Sequence, residues 1–176
     1  MGIKRKAKLT VLAALVITGG SSLLLSITGD SCTTRTVQTV QTDSLSPIIA
    51  EGENVTVLEN YYTCNAPERT ENIYYQHASR QEPLLLNVTA VPGDQMSFSG
   101  CELKINNQTV RNSAGEAYCL EGKRKGLLEL YTGKLSGYLL LSENSSRGYD
   151  STRFGIVSEK GFESRVKSRN KFLGLI

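Results

Sequence analysis

An all-β fold, mainly antiparallel and drawn into a partly closed barrel behind one N-terminal transmembrane helix, is what the 176-residue chain predicts. Three observations carry that expectation. Short runs rich in β-branched and aliphatic residues recur along the chain, separated by Pro-Gly, Asn-Asn and Gly-rich turn signals. No long 3.6-residue periodicity appears past residue 28. Before that, residues 9–28 form a stretch of 20 residues without a charge, about the length that crosses a hydrocarbon core as a helix.

The chain opens with Lys4, Arg5, Lys6 and Lys8, and the first acidic residue is Asp30. A basic cluster before an apolar span places the N-terminus in the cytoplasm and the rest of the chain outside. Gly19, Gly20, Ser21 and Ser22 dilute the span, so a cleaved signal peptide is the rival to a retained anchor. No clean small-x-small cleavage site follows, which favours the anchor. The expected organisation is a cytoplasmic basic segment (1–8), an anchor (9–28), a tether (29–43), a β domain (44–166) and a basic, apolar tail (167–176).

The formal charge of +3 is concentrated at the start. Without those four bases, 16 basic side chains face 17 acidic ones, so nothing electrostatic argues for nucleic acid as a partner. Cys32, Cys64, Cys101 and Cys119 are even in number, show no C-x-x-C spacing and accompany a single histidine. That composition argues for disulfides in an exported domain and against a metal site; no cofactor is expected. Four cysteines allow three pairings; closeness in sequence favours Cys101 with Cys119, leaving Cys32 with Cys64. Asn54, Asn87, Asn107 and Asn144 begin Asn-x-Ser/Thr triplets, of which Asn87 sits in an apolar run unsuited to a glycan.

In order, the tether carries Val37 and Val40 as a first edge strand, and residues 54–59 form a short strand. Residues 60–80 read as irregular, with Tyr61, Tyr62, Tyr74 and Tyr75 among polar residues. Residues 84–91 (LLLNVTAV) are the strongest buried-strand signal, stopped by Pro92-Gly93-Asp94. Strands follow at 95–99 and 102–105, with Asn106-Asn107 turning into 108–110. Residues 113–125 read as a loop pinned by Cys119, and 127–131 as either helix or strand. Residues 138–142 form another buried strand, and the last strands lie near Ile156-Val157 and at 162–166. The tail is either a frayed terminus or a segment touching membrane lipid.

The chemistry rests on three separated segments. The first is Thr42-Asp43-Ser44-Leu45-Ser46-Pro47, ahead of a Gly-acidic-x-Val strand. The second is Ala90-Val91-Pro92-Gly93-Asp94. The third is Leu139-Leu140-Leu141-Ser142-Glu143-Asn144, with Asp150-Ser151-Thr152-Arg153-Phe154-Gly155 after it. In this order and spacing they resemble the boxes of the signal peptidase I family, membrane serine peptidases of the Ser-Lys type, over residues 42–157. The resemblance implies a signal-peptidase-like β domain with Ser44 as nucleophile, the Thr42 hydroxyl and Ser44 N–H as oxyanion donors, and Asp150 in the orienting-acid position. It also implies exported precursor proteins, through their signal peptides, as partners.

The departures matter as much. The family's general base is a lysine six positions ahead of the proline in the second box. Leu86 stands there, Asn87 occupies the neighbouring arginine position, and no lysine lies between Lys8 and Lys104. A serine hydroxyl is a poor nucleophile until a neighbour takes its proton; leucine has the volume of that neighbour and no lone pair. Losing a base of this kind typically costs about 10⁶-fold. His77 is a weak alternative base, Lys104 a weaker one, and a partner subunit another source of a proton acceptor. Two functions therefore stand side by side. One is an anchored endopeptidase cutting exported precursors after small residues. The other is an inactive member that binds peptides or serves as an accessory module. An exported β domain without a peptide site is the third.

Overall fold

A computed structural model describes residues 32–144 and 148–168. The expected anchor, and the tail beyond Ser168, lie outside the described residues. Ten strands form in chain order: β1 (Thr34–Thr39), β2 (Asn54–Glu59), β3 (Asn72–Tyr75), β4 (Leu84–Ala90), β5 (Gln95–Ser99), β6 (Glu102–Ile105), β7 (Gln108–Thr109), β8 (Gly133–Lys134), β9 (Leu139–Leu141) and β10 (Phe162–Ser168). Two short helices interrupt them, α1 (Gly122–Glu129) and α2 (Ser151–Phe154).

The strands form two sheets, one in the order β1-β2-β10-β3-β4-β9 and one in the order β7-β6-β5-β8. Every ladder is antiparallel. The expectation of an all-β, mainly antiparallel fold therefore holds. The expectation of a partly closed barrel does not: neither sheet closes on itself, and β1 and β9 end the larger one. The reason lies in the edge strands. β1 is exposed along nearly its whole length and has no apolar face to bury against a closing neighbour. β7, β8 and β9 are two or three residues long, too short to carry a further ladder.

β4 is the strand around which the core is distributed. Its side chains alternate, as a pleat requires. Leu85 joins Val40, Leu45, Ile49, Val55, Val57 and Val166 in one cluster. Leu86 and Val88 join Ile73, Tyr75, Tyr138 and Leu140 in a second, and Ala90 reaches a third with Met96, Leu103, Leu128 and Leu139. At the far end of β4, Pro92-Gly93 turns the chain toward the smaller sheet, with Gly93 at φ +99° and the Asp94 N–H donating to the Val91 carbonyl at 3.1 Å.

Asn106 and Asn107, both at positive φ (51° and 66°), make the two-residue hairpin between β6 and β7. The cysteines pair as Cys32–Cys64 and Cys101–Cys119. Three local expectations change. Residues 72–75, inside the stretch read as irregular, form β3, whose Ile73 and Tyr75 are buried against β4 and β10. Residues 122–125, read as loop, open α1. Ile156-Val157, just after α2, forms no strand beyond one bridge, Tyr138 to Val157. Among the described residues, no helix is long and apolar enough to cross a membrane.

Candidate active site

The segment that carries Ser44 is held by its apolar neighbours. Val40, Leu45 and Ile49 are fully buried, and two backbone hydrogen bonds, Ser46 N–H to Asp43 O (2.9 Å) and Ile49 N–H to Leu45 O (3.0 Å), curl the chain between them. The Ser46–Pro47 peptide is cis. From the third box, the Glu143 N–H donates to the Ser44 carbonyl at 2.8 Å. Ser44 is thus pinned on both sides and brought against β4.

β4 meets it with an unpaired edge. The Val88 N–H donates to Glu71 O and Val88 O accepts from the Thr70 N–H, both at 2.8 Å. Even-numbered β4 residues therefore turn their backbone groups toward the β3 side and odd-numbered ones away from it. β9 covers that other side only from Asn87 onward. The Leu85 carbonyl is left without a strand partner, and the Ser44 hydroxyl donates to it at 2.7 Å. Ser44, Thr42 and residues 84–86 line one groove of about 820 Å³, together with Ser79, Glu82 and Tyr149.

Each residue singled out from the sequence has a definite place. Leu86 lines the same groove as Ser44, is 1% exposed, and packs within the cluster of Ile73, Tyr138 and Leu140. The Thr42 hydroxyl accepts the Ser44 N–H at 3.2 Å, so the two groups assigned to an oxyanion are bonded to one another. Asp150 is 1% exposed and fully occupied: it accepts from the Ser142 N–H (3.0 Å) and hydroxyl (2.9 Å), and from the Thr152 N–H (3.0 Å) and hydroxyl (2.6 Å). Asp150 thereby caps α2. Nearby, burial pushes the Tyr118 phenol up, and the Asp150 carboxylate adds to the shift.

His77 is bonded to Ser79, its Nδ1 standing 2.8 Å from that hydroxyl, with the Phe154 ring tilted beside it at 4.8 Å. Lys104 is on β6, in the smaller sheet, opposite Ser97 and Thr109. Asn87 donates to the Asn72 side chain at 2.9 Å. Sequence reasoning missed the Leu85 carbonyl, a backbone group that no residue type announces. It also missed Ser79 and Tyr149 as groove residues, although His77-Ala78-Ser79 spells out a local contact. Among the described residues, no group of three His, Cys, Asp or Glu side chains stands together as a metal site.

What this arrangement can do follows from its acceptors. A backbone carbonyl fixes a hydroxyl in space without taking its proton, so the bond to Leu85 orients Ser44 but does not activate it. The open edge of β4, by contrast, offers backbone groups to an extended segment laid beside it.

A family model described as signal peptidase, peptidase S26, matches residues 10–170. Signal peptidase IB of Staphylococcus aureus, in strains Mu50 / ATCC 700699 and N315, is 25% identical over 150 residues, which cover 76% of this chain and 76% of that protein. Among solved structures, a signal peptidase I from Enterococcus faecalis V583 superposes with a TM-score of 0.44 at 21% identity, covering 58% of this chain and 98% of the other.

Proposed function

The chain belongs to the signal peptidase family, peptidase S26, and on that premise we propose that it receives extended segments of exported precursors in the Ser44 groove without cleaving them at Ser44. The observation that carries this reading is the pairing of the Ser44 hydroxyl with the Leu85 carbonyl, beside Leu86 in the position of the base. A peptide laid along the half of β4 that β9 leaves uncovered would pair at Leu85, the residue of 84–86 whose backbone groups face away from β3, and would compete with Ser44 for its carbonyl. The side chains around it hold that edge in place and offer Ser44 no amine.

An anchor at residues 9–28 would keep the domain on the outer face of the membrane, within reach of precursors emerging there. The two disulfides support an exported, oxidising location. The endopeptidase reading remains the alternative, supported by family membership itself, and one experiment separates the two. Full-length protein in detergent micelles is incubated with a precursor bearing a small-x-small site. Saturable binding with no product that Ser44→Ala removes is the expected result. Product formed by the parent protein and abolished by Ser44→Ala overturns the reading in favour of the endopeptidase.

A further inference from the structure

The groove contains a second serine, and its hydroxyl has a different acceptor. We propose that Ser79, with His77 as its proton acceptor, is the activated hydroxyl of this groove, a nucleophilic centre for the acyl group of a peptide or ester.

His77 Nδ1 stands 2.8 Å from the Ser79 hydroxyl oxygen and 3.2 Å from the Ser79 backbone nitrogen. A backbone N–H only donates, so Nδ1 carries the lone pair and the ring proton sits on Nε2. The Ser79 hydroxyl then donates to the same Nδ1. The Tyr149 phenol lies 3.2 Å from the Ser79 oxygen; with the serine proton committed to the imidazole, the phenol is the donor. The chain of bonds runs in one direction, from Tyr149 through Ser79 to His77.

A two-residue turn would explain the His77–Ser79 contact by itself. It does not call for the rest. Tyr149 comes from 70 positions away in the sequence, and the Arg80 guanidinium lies 4.1 Å over its ring. The imidazole is clamped among rings, 4.8 Å from Phe154, 5.8 Å from Tyr149 and 6.3 Å from Tyr75. A hydroxyl in hydrogen-bond contact with an imidazole nitrogen held among rings, opening into a groove, is the arrangement that nucleophilic catalysis uses.

The step balances with water as the only co-reactant. The Ser79 oxygen bonds to the carbonyl carbon while its proton passes to His77 Nδ1. The imidazolium returns that proton to the departing amine or alcohol as the C–N or C–O bond breaks. Water, giving a proton to the same nitrogen, then opens the serine ester and restores the hydroxyl.

The test is covalent labelling of the full-length protein in detergent micelles with a fluorophosphonate, the modified residue being located by peptide mass spectrometry. The expected result is an adduct on Ser79, absent in Ser79→Ala and formed at least about 10²-fold more slowly in His77→Gln. An unchanged circular dichroism spectrum certifies the fold of both variants. An adduct on Ser44, no adduct on either serine, or labelling of Ser79 at an unchanged rate in His77→Gln would each overturn the inference. The reagent needs no peptide recognition, so failure here leaves the peptide-binding reading intact. Labelled Ser79 in a protein that binds no precursor would sink that reading alone.

Discussion

Asp94 and Asp150 hold their surroundings by accepting hydrogen bonds from several donors each, whereas Ser44 and Leu86 have no acid–base chemistry to exchange. Asp94 takes the Val91 N–H, the Asn106 amide and the Arg69 guanidinium. Asp150 takes four donors from Ser142 and Thr152. The Ser44 hydroxyl, by contrast, meets a carbonyl, and Leu86 is hydrocarbon among hydrocarbon. The bonds that shape a signal-peptidase-type domain and those that would make it turn over are thus separable in one chain. On the proposed reading, the scaffold aspartates act through stability and residue 86 on the barrier.

The largest expected effect tests the reactive half. Leu86→Lys places an amine where burial among Ile73, Tyr138 and Leu140 disfavours its charge, leaving it basic near neutral pH. Ser44-dependent cleavage of a precursor is expected to rise by about 10²–10⁴-fold over the parent protein, the usual contribution of a positioned base. Single-turnover rates with and without Ser44→Ala measure it. No rise would mean that the Leu85 hydrogen bond, and not the missing amine alone, restrains Ser44. The next effect tests the scaffold half. Asp150→Ala strands buried donors of Ser142 and Thr152 and removes the cap of α2. It is expected to cost about 3–4 kcal/mol, each unsatisfied buried group being worth about 1–3 kcal/mol and the sum not additive. The urea midpoint reads this, and a loss below about 1 kcal/mol would show that Asp150 is no scaffold residue.

The same division governs how much was legible in the sequence. β4 was visible because a buried strand is a continuous apolar run. The β6–β7 hairpin was visible because paired asparagines tolerate positive φ. The two disulfides are the pairing that closeness in sequence favours, one of the three that four cysteines allow. α1 was not visible: only Leu128 is buried along it, and no side chain caps its start, so it leaves no periodic signal. Closure of the sheets was not visible either, since which strands end a sheet is settled by contacts distant in sequence. At the site, the first and third motifs bring Ser44 against the start of β4, where it meets Leu85. The partner that holds its hydroxyl is a main-chain oxygen, and side-chain identity is silent about those. His77 was weighed as a base for Ser44, and the structure gives its nitrogen to Ser79 instead.

A third prediction separates the two halves by distance. Cys101–Cys119 spans 18 residues and ties β6 to the segment after β7 in the smaller sheet, away from the Ser44 groove. Replacing both cysteines by serine is expected to lower stability by about 3 kcal/mol through the freed unfolded chain. In the Leu86→Lys background, Ser44-dependent cleavage below the new melting temperature should persist. Loss of cleavage from a protein still folded by circular dichroism would mean that the smaller sheet helps to position the groove.

The smallest effect is one of pH. Burial of Asp94 works against its charge, but the Asn106 amide, the Val91 N–H and the Arg69 guanidinium outweigh it and hold the carboxyl below its ordinary value of 3.8. A carboxyl depressed in the folded state stabilises the protein above the unfolded value, and that contribution disappears as pH falls through the folded one. Stability should therefore be unaffected by this group from neutrality down to about pH 4 and then decline. Asp94→Asn, which loses the charge while keeping the shape, should cost about 1–2 kcal/mol at pH 7, as charge-assisted hydrogen bonds do, and show a shallower acid limb. Urea midpoints of both proteins from pH 7 to pH 2.5 measure the difference. Parallel curves would mean that the Pro92-Gly93 turn is held by its backbone, and that the contrast between scaffold and site rests on Asp150 alone.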